Sequence, residues 1–272
     1  MGEQRWRVDP EKPRDKSAFM SMKRLIARLD IKGPNVIKGI QMDGQRIVGD
    51  PAELASKYYE AGIDEVFYID TVASLYGREN ITAIVEQVAQ SIFVPLTVCG
   101  GVRSLDDARL MLRSGADKVA MNSAAVSNPR LLQEVSSTFG SQCAVLSVEA
   151  KRVEHDWEVF TNNGRDRSGV FVGKWIESAQ EFGVGEVFIT SIDRDGTKRG
   201  LDLDLKKLAR NSTDLPVIGS GGVGSVQDFY RALTEADLDG VCVGAALHSG
   251  NVEIGQIRNE LAELGAEVRS VS

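Results

Sequence analysis

Cysteine and histidine are scarce in this sequence. Among 272 residues there are 3 cysteines (Cys99, Cys143, Cys242) and 2 histidines (His155, His248). An odd number of cysteines without C-x-x-C spacing supplies neither a disulfide framework nor a zinc pattern. Each cysteine lies in an apolar, β-like run, where the residue usually serves as a small buried hydrophobe. The histidines stand too far apart to form a local metal motif, so no metal and no cofactor is expected. Basic residues are also in deficit, 32 Lys and Arg against 39 Asp and Glu, a net charge of −7. That lacks the basic footprint of a nucleic-acid binder, so an anionic ligand has to be held by backbone amides and a few placed cations. No apolar run is long enough to span a bilayer, and MGEQRWRVDPEKPRDKSAFM at the start has no apolar core of a secretory signal. A cytoplasmic location is expected, with neither nucleic acid nor membrane as partner. Residues 1–22 read as a charged, disordered tail and residues 23–272 as the folded part.

Glycine is plentiful, with 27 residues, and its placement repeats. Residues 94–104 read VPLTVCGGVRS and residues 215–225 read LPVIGSGGVGS. Gly100 matches Gly221 and Gly101 matches Gly222, 121 residues on (221 − 100). GIDEVFYID from Gly62 and GVGEVFITS from Gly183 keep the same offset (183 − 62). Self-similarity at a fixed offset indicates two homologous halves.

Short apolar runs at 24–30, 65–70, 94–99, 118–121, 144–149, 186–191, 217–220 and 240–243 read as strands. Amphipathic stretches near 51–61, 80–91, 104–114, 127–138, 171–182, 203–210, 225–235 and 252–264 read as helices. The alternation predicts parallel βαβ units, and over about 250 residues a (β/α)₈ barrel of two half-barrels. Two connections are long. Residues 31–49 read as a hairpin turning at Asp43-Gly44, and residues 150–169 as partly β. Long structured loops on the catalytic face are usually lids or binding loops.

Active sites of such barrels lie at the C-terminal ends of the strands. Asp30 and Glu149 end the first and fifth strands, half a barrel apart, and suit general acid–base chemistry. Acidic residues at strand ends also serve as helix caps or lysine partners, and Lys32 and Lys38 could play that part for Asp30. Each glycine pair lets the backbone approach an anion closely. With Asn122-Ser123 and Gly244-Ala245 at the neighbouring strand ends, the pairs predict a substrate with a phosphate at each end, stretched across the mouth. Arg24, Glu65, Lys118 and Glu186 begin their strands at the opposite end, and periodicity alone reads them as a structural salt-bridged ring.

KRLIARLDIK, GDPAELASKYYEAGIDEVFYID, PLTVCGGVRS, GADKVAMNSAAV, FGSQCAVLSVEAKR, GEVFITSIDRDGTKRG and PVIGSGGVG follow one another along the chain. In that order, over about Lys23 to Arg269, they resemble the cyclase subunit of imidazole glycerol phosphate synthase, of histidine biosynthesis. The resemblance implies a half-barrel-duplicated (β/α)₈ enzyme that takes ammonia from a glutaminase subunit docked at the N-terminal face as a heterodimer. It cleaves and cyclises a bisphosphorylated ribulosyl aminoimidazole carboxamide, giving imidazole glycerol phosphate and aminoimidazole carboxamide ribotide. It implies that Asp30 is catalytic beside the second carboxylate, Glu149. Gly101, Asn122 and Ser123 then form one phosphate site, and Gly196, Gly222, Gly244 and Ala245 the other. Lys38, Thr190 and Asp195 line the substrate. Arg24, Glu65, Lys118 and Glu186 become an ammonia gate, and Asp117 a partner contact.

The sequence departs from the family pattern at four points. Glu149 stands for the family's aspartate, Arg28 for its cysteine, Cys99 for a glycine and Asn35 for a basic residue. If Arg28 points into the barrel, its cation lies along the ammonia path and lowers the pKa of Asp30. The departures motivate an alternative, a diverged paralogue passing ammonia to another amidotransfer step such as amidination of a surface-polysaccharide sugar. The sister isomerase of the pathway shares fold and phosphates but needs no gate.

Overall fold

The computed structural model describes residues 22–71 and 79–270. The expected tail lies outside the described residues apart from Met22. Eight parallel strands close into a barrel: β1 (Arg24–Lys32), β4 (Glu65–Asp70), β5 (Leu96–Cys99), β6 (Lys118–Met121), β7 (Ala144–Val153), β10 (Glu186–Ser191), β11 (Val217–Ser220) and β12 (Gly240–Val243). The β7–β10 pairing and the β1–β12 pairing complete the ring. These strands are mainly apolar because both faces are covered, and the charges they carry near the lumen's two ends are the exceptions.

The larger helices pack around the outside: α1 (Pro51–Glu60), α2 (Glu79–Ser91), α3 (Leu105–Arg113), α5 (Arg130–Phe139), α6 (Val172–Glu181), α7 (Leu203–Asn211), α8 (Val226–Glu235) and α10 (Ile254–Glu263). Among the described residues no helix is long and apolar enough to cross a membrane. Several of their starts are written in the sequence. Asp50 accepts from the amides of Ala52 and Glu53, with Pro51 at the first helical position. Ser104 with Asp107 caps α3, and Ser225 with Asp228 forms the matching capping box of α8. Two short helices, α4 (Ser123–Ser127) and α9 (Ala245–His248), were not evident from periodicity. Asn122-Ser123 and Gly244-Ala245 therefore lead into helical turns rather than bare loops.

The duplication shows in three dimensions. A Cβ on Gly100 would stand 2.6 Å from the carbonyl oxygen of Asp70, and one on Gly221 2.6 Å from that of Ser191. Both glycines have φ near +100° or +91°, so close approach and backbone conformation together require glycine. The long connections repeat as well. β1 runs into a hairpin of β2 (Asn35–Ile40) and β3 (Asp43–Gly49); β7 runs into β8 (Asp156–Thr161) and β9 (Asp166–Phe171). The first hairpin turns at Gln41-Met42, two residues before the Asp43-Gly44 expected from turn chemistry. Gln41 and Met42 hold φ of 53° and 63°, Ile40 pairs with Asp43, and the register slips between Lys38 and Ile40. The Gln41 amide donates to the Asp195 carbonyl at 2.7 Å and its side chain to that of Asp193 at 3.0 Å. Docking on the loop after β10 thus fixes the turn against local preference.

Candidate active site

Alternate residues of a strand share a face. On β1 this sends Arg24, Ile26, Arg28 and Asp30 into the lumen, from floor to mouth. At the floor Arg24 bonds Glu65 at 2.8 Å and also Glu186. Lys118 bonds Glu65 at 2.9 Å and Glu186 at 2.8 Å, so the four charges alternate in a closed ring. The Thr97 hydroxyl adds a bond to Glu65 at 2.7 Å. Above lies an apolar layer that includes Ile26, Phe67, Val145, Phe188 and Ile218, with the Phe67 and Phe188 rings 4.5 Å apart.

Arg28 does point inward and is buried. Its Nε donates to Asp30 at 2.6 Å, and its Nη1 to Asp195 at 3.2 Å, Ser220 at 3.3 Å and Thr190 at 3.5 Å. Lys38, on β2, reaches the same two carboxylates, at 2.5 Å to Asp30 and 3.0 Å to Asp195. Two cations and two carboxylates form one compact cluster. Burial alone would raise the Asp30 carboxyl, but Arg28 and Lys38 overcome it and hold it at about 2.

Glu149 has different surroundings. It is half-buried, and its Oε2 accepts the Gly164 amide at 2.9 Å. Burial raises its carboxyl to about 7, since Arg28 and the Gly164 amide only partly offset the loss of water and Asp30 and Asp195 add repulsion. One carboxyl is thus fixed as an anion while the other exchanges its proton near neutrality. β1 and β7 stand half a turn of the barrel apart.

Glu149 opens onto a cleft of about 110 Å³ lined by Gly100, Gly101, Asn122, Ser123, Asn162 and Asn163 among others. The first anion cradle and Glu149 are therefore brought together. Asn122 donates to the Phe160 carbonyl at 3.0 Å, and its own buried oxygen is left without a partner. Ser123 Oγ accepts the Asn162 amide at 2.9 Å. The second cradle is more tightly covered. A Cβ on Gly196 would stand 2.0 Å from the Gly39 carbonyl oxygen, and one on Gly222 2.2 Å from that of Gly200. Gly244 packs over the Arg28 carbonyl and His248 and leads into Ala245.

A family profile described as "Histidine biosynthesis protein" matches residues 24–253. The chain belongs to this family. It is 54% identical over 211 residues to a protein of Legionella pneumophila named "Imidazole glycerol phosphate synthase subunit HisF", covering 77% of this chain and 100% of that protein. It is 39% identical over 250 residues to a protein of the same name from Natranaerobius thermophilus, covering 92% of this chain and 100% of the relative.

Within this family member, Asp117 is exposed at the N-terminal face near the ring, but its Oδ2 also accepts the Leu96 amide at 2.8 Å. Asp64 and Asp239 do the same for Leu25 and Val217, so Asp117 has a structural task as well. The residues that sequence reasoning missed come from the second hairpin. Asn162, Asn163 and Gly164 have φ of 53°, 59° and 74°, and this left-handed run brings Asn163 to the cleft and the Gly164 amide to Glu149. The Asn-Asn-Gly triplet was the available signal. Among the described residues no group of His, Cys, Asp and Glu side chains gathers that could hold a metal ion.

Proposed function

We propose that the chain is the ammonia-using cyclase subunit of an imidazole glycerol phosphate synthase. It draws ammonia from a glutaminase docked on its N-terminal face and acts on the bisphosphorylated ribulosyl aminoimidazole carboxamide. The observation that carries the reading is the complete ring of Arg24, Glu65, Lys118 and Glu186 beneath the barrel. In this reading one phosphate sits on Gly101, Asn122 and Ser123 and the other on Gly196, Gly222, Gly244 and Ala245, and Lys38, Thr190 and Asp195 line the space between. Glu149 carries the proton as general acid and base. Asp30, both of whose oxygens hold cations, stays ionised and stabilises positive charge developing on the substrate.

The test is turnover of that substrate, with ammonia alone and with a glutaminase plus glutamine. Product release under both conditions is expected. No turnover at saturating ammonia, with anion binding intact, overturns the reading and favours amidotransfer to another acceptor.

A further inference from the structure

Lys206 belongs to no part of the machinery described so far. It sits on α7 with no solvent exposure, between the helix and the barrel wall. Its Nζ donates to the Ile189 carbonyl at 2.8 Å and the Ser220 carbonyl at 2.9 Å. Those carbonyls lie at the C-terminal ends of β10 and β11, and Ser220 directly precedes Gly221-Gly222. The stem runs along Gly219, where a Cβ would stand 3.3 Å from Lys206 Cε.

Among the described residues the first half shows no such group. The stretches between β4 and β5 and between β10 and β11 are equally long, so the 121-residue offset carries Lys206 back to Val85 (206 − 121), which is fully buried and apolar. A lysine in an apolar helix–barrel interface is costly to keep charged. The hydrogen bonds satisfy two of its three donors and hold the ammonium against the carbonyl that directly precedes Gly221-Gly222.

We infer that Lys206 is the buried cationic support of the second anion cradle, so that an anion on Gly222 and Gly244 binds with uptake of a proton by this lysine. The inference rests on the reading that these glycines hold an anion. Burial brings the Lys206 ammonium down to about 7, so the free protein holds it partly neutral at physiological pH, and a dianion close by favours the charged form. The charged groups acting on it are Asp202 at the head of its own helix, Arg28 on β1 and Asp195 after β10; none comes from α6, α8 or β11. Affinity at the second cradle therefore falls as pH rises through the lysine's titration, whereas the first cradle answers to Glu149, which lines its cleft and ionises near the same pH.

Sulfate is a suitable probe because its charge is constant over the range. Binding is followed by amide NMR shifts, at Gly101 and Ser123 for one cradle and at Gly222 and Gly244 for the other, at about pH 6 and about pH 9. The second cradle is expected to weaken about tenfold across that range, and the first much less once Glu149→Gln has removed the carboxyl that titrates in its cleft. Lys206→Met should remove the pH dependence at the second cradle while leaving the first cradle unchanged. In the wild-type protein the Lys206 ammonium, read directly by NMR, should titrate higher with sulfate than without, a result that needs no variant to fold. Sulfate binding at the second cradle with no pH difference and an unmoved lysine overturns the inference. Absence of sulfate binding there at any pH overturns instead the reading on which it rests.

Discussion

Glu149 and Asp30 are both carboxylic acids at strand ends, but their neighbours divide the work. Glu149 at about 7 predicts a pH–rate profile with an apparent pKa near neutrality. Glu149→Gln should remove that limb and lower kcat by about 10²-fold or more with little change in KM. Shortening the side chain in Glu149→Asp withdraws the carboxylate by about 1 Å from the Gly164 amide, and a drop of about 10²-fold is expected. A rise would mean that the glutamate is misfitted. Arg28→Met leaves Lys38 alone between two carboxylates. Breaking a buried ion pair on one side costs roughly 3–5 kcal/mol, measurable by denaturant unfolding at neutral pH. The sign of the acid response follows from Asp30, whose pKa falls from 3.8 to about 2 on folding. Its contribution is present above pH 3.8 and is lost as pH falls through about 2, and Arg28→Met should lose stability at higher pH than the wild type. Sequence alternation could place positions 24, 26, 28 and 30 on one face. That Arg28 and Lys38 share Asp195 as well as Asp30 depends on a loop 165 residues further along (195 − 30), which no local pattern encodes.

At the scale of elements, the β2–β3 hairpin is the part whose position matters most. Its existence was legible from alternation, and its turn was not. Asp43-Gly44 is the stronger intrinsic signal, but Gly39 has to pass under Asp43, whose carbonyl oxygen would lie 2.0 Å from a Cβ there. Docking on Asp193 and Asp195 then selects Gln41-Met42. The hairpin is joined to β1 by the ladder at Asn35–Ile37, and beyond that ladder it is held to the barrel mouth by the Gln41 bonds and by Lys38. Lys38→Met should loosen the part beyond the ladder: backbone hydrogen exchange over residues 38–48 should quicken by about tenfold, while exchange in β4 and β5 stays as it was. A hairpin equally protected without the ammonium would show that the β1–β2 ladder and the Gln41 contacts suffice.

For the whole molecule, the half-barrel repeat was readable because it survives in glycines and caps, the positions where backbone geometry leaves least choice. The outer surface carries no such repeat, and the docking face has to be argued from exposure. Parallel strands and the returning helices place the residues before β5 and after α10 at the same end as the charged ring. There Phe93 is 85% exposed and Leu264 45%, with Phe93 edge-on to Tyr59 at 5.9 Å between centroids. A large aromatic side chain left that open is a natural interface anchor. Phe93→Ser removes the ring without touching the lumen or the cleft. Affinity for a glutaminase subunit should fall about tenfold or more, a loss of about 1.4 kcal/mol at least, read by titration calorimetry. Turnover driven by free ammonia should be unchanged, because the mouth lies at the other end of the barrel. Unaltered affinity would move the docking surface away from this rim, while an equal loss of both activities would show that Phe93 supports the fold instead.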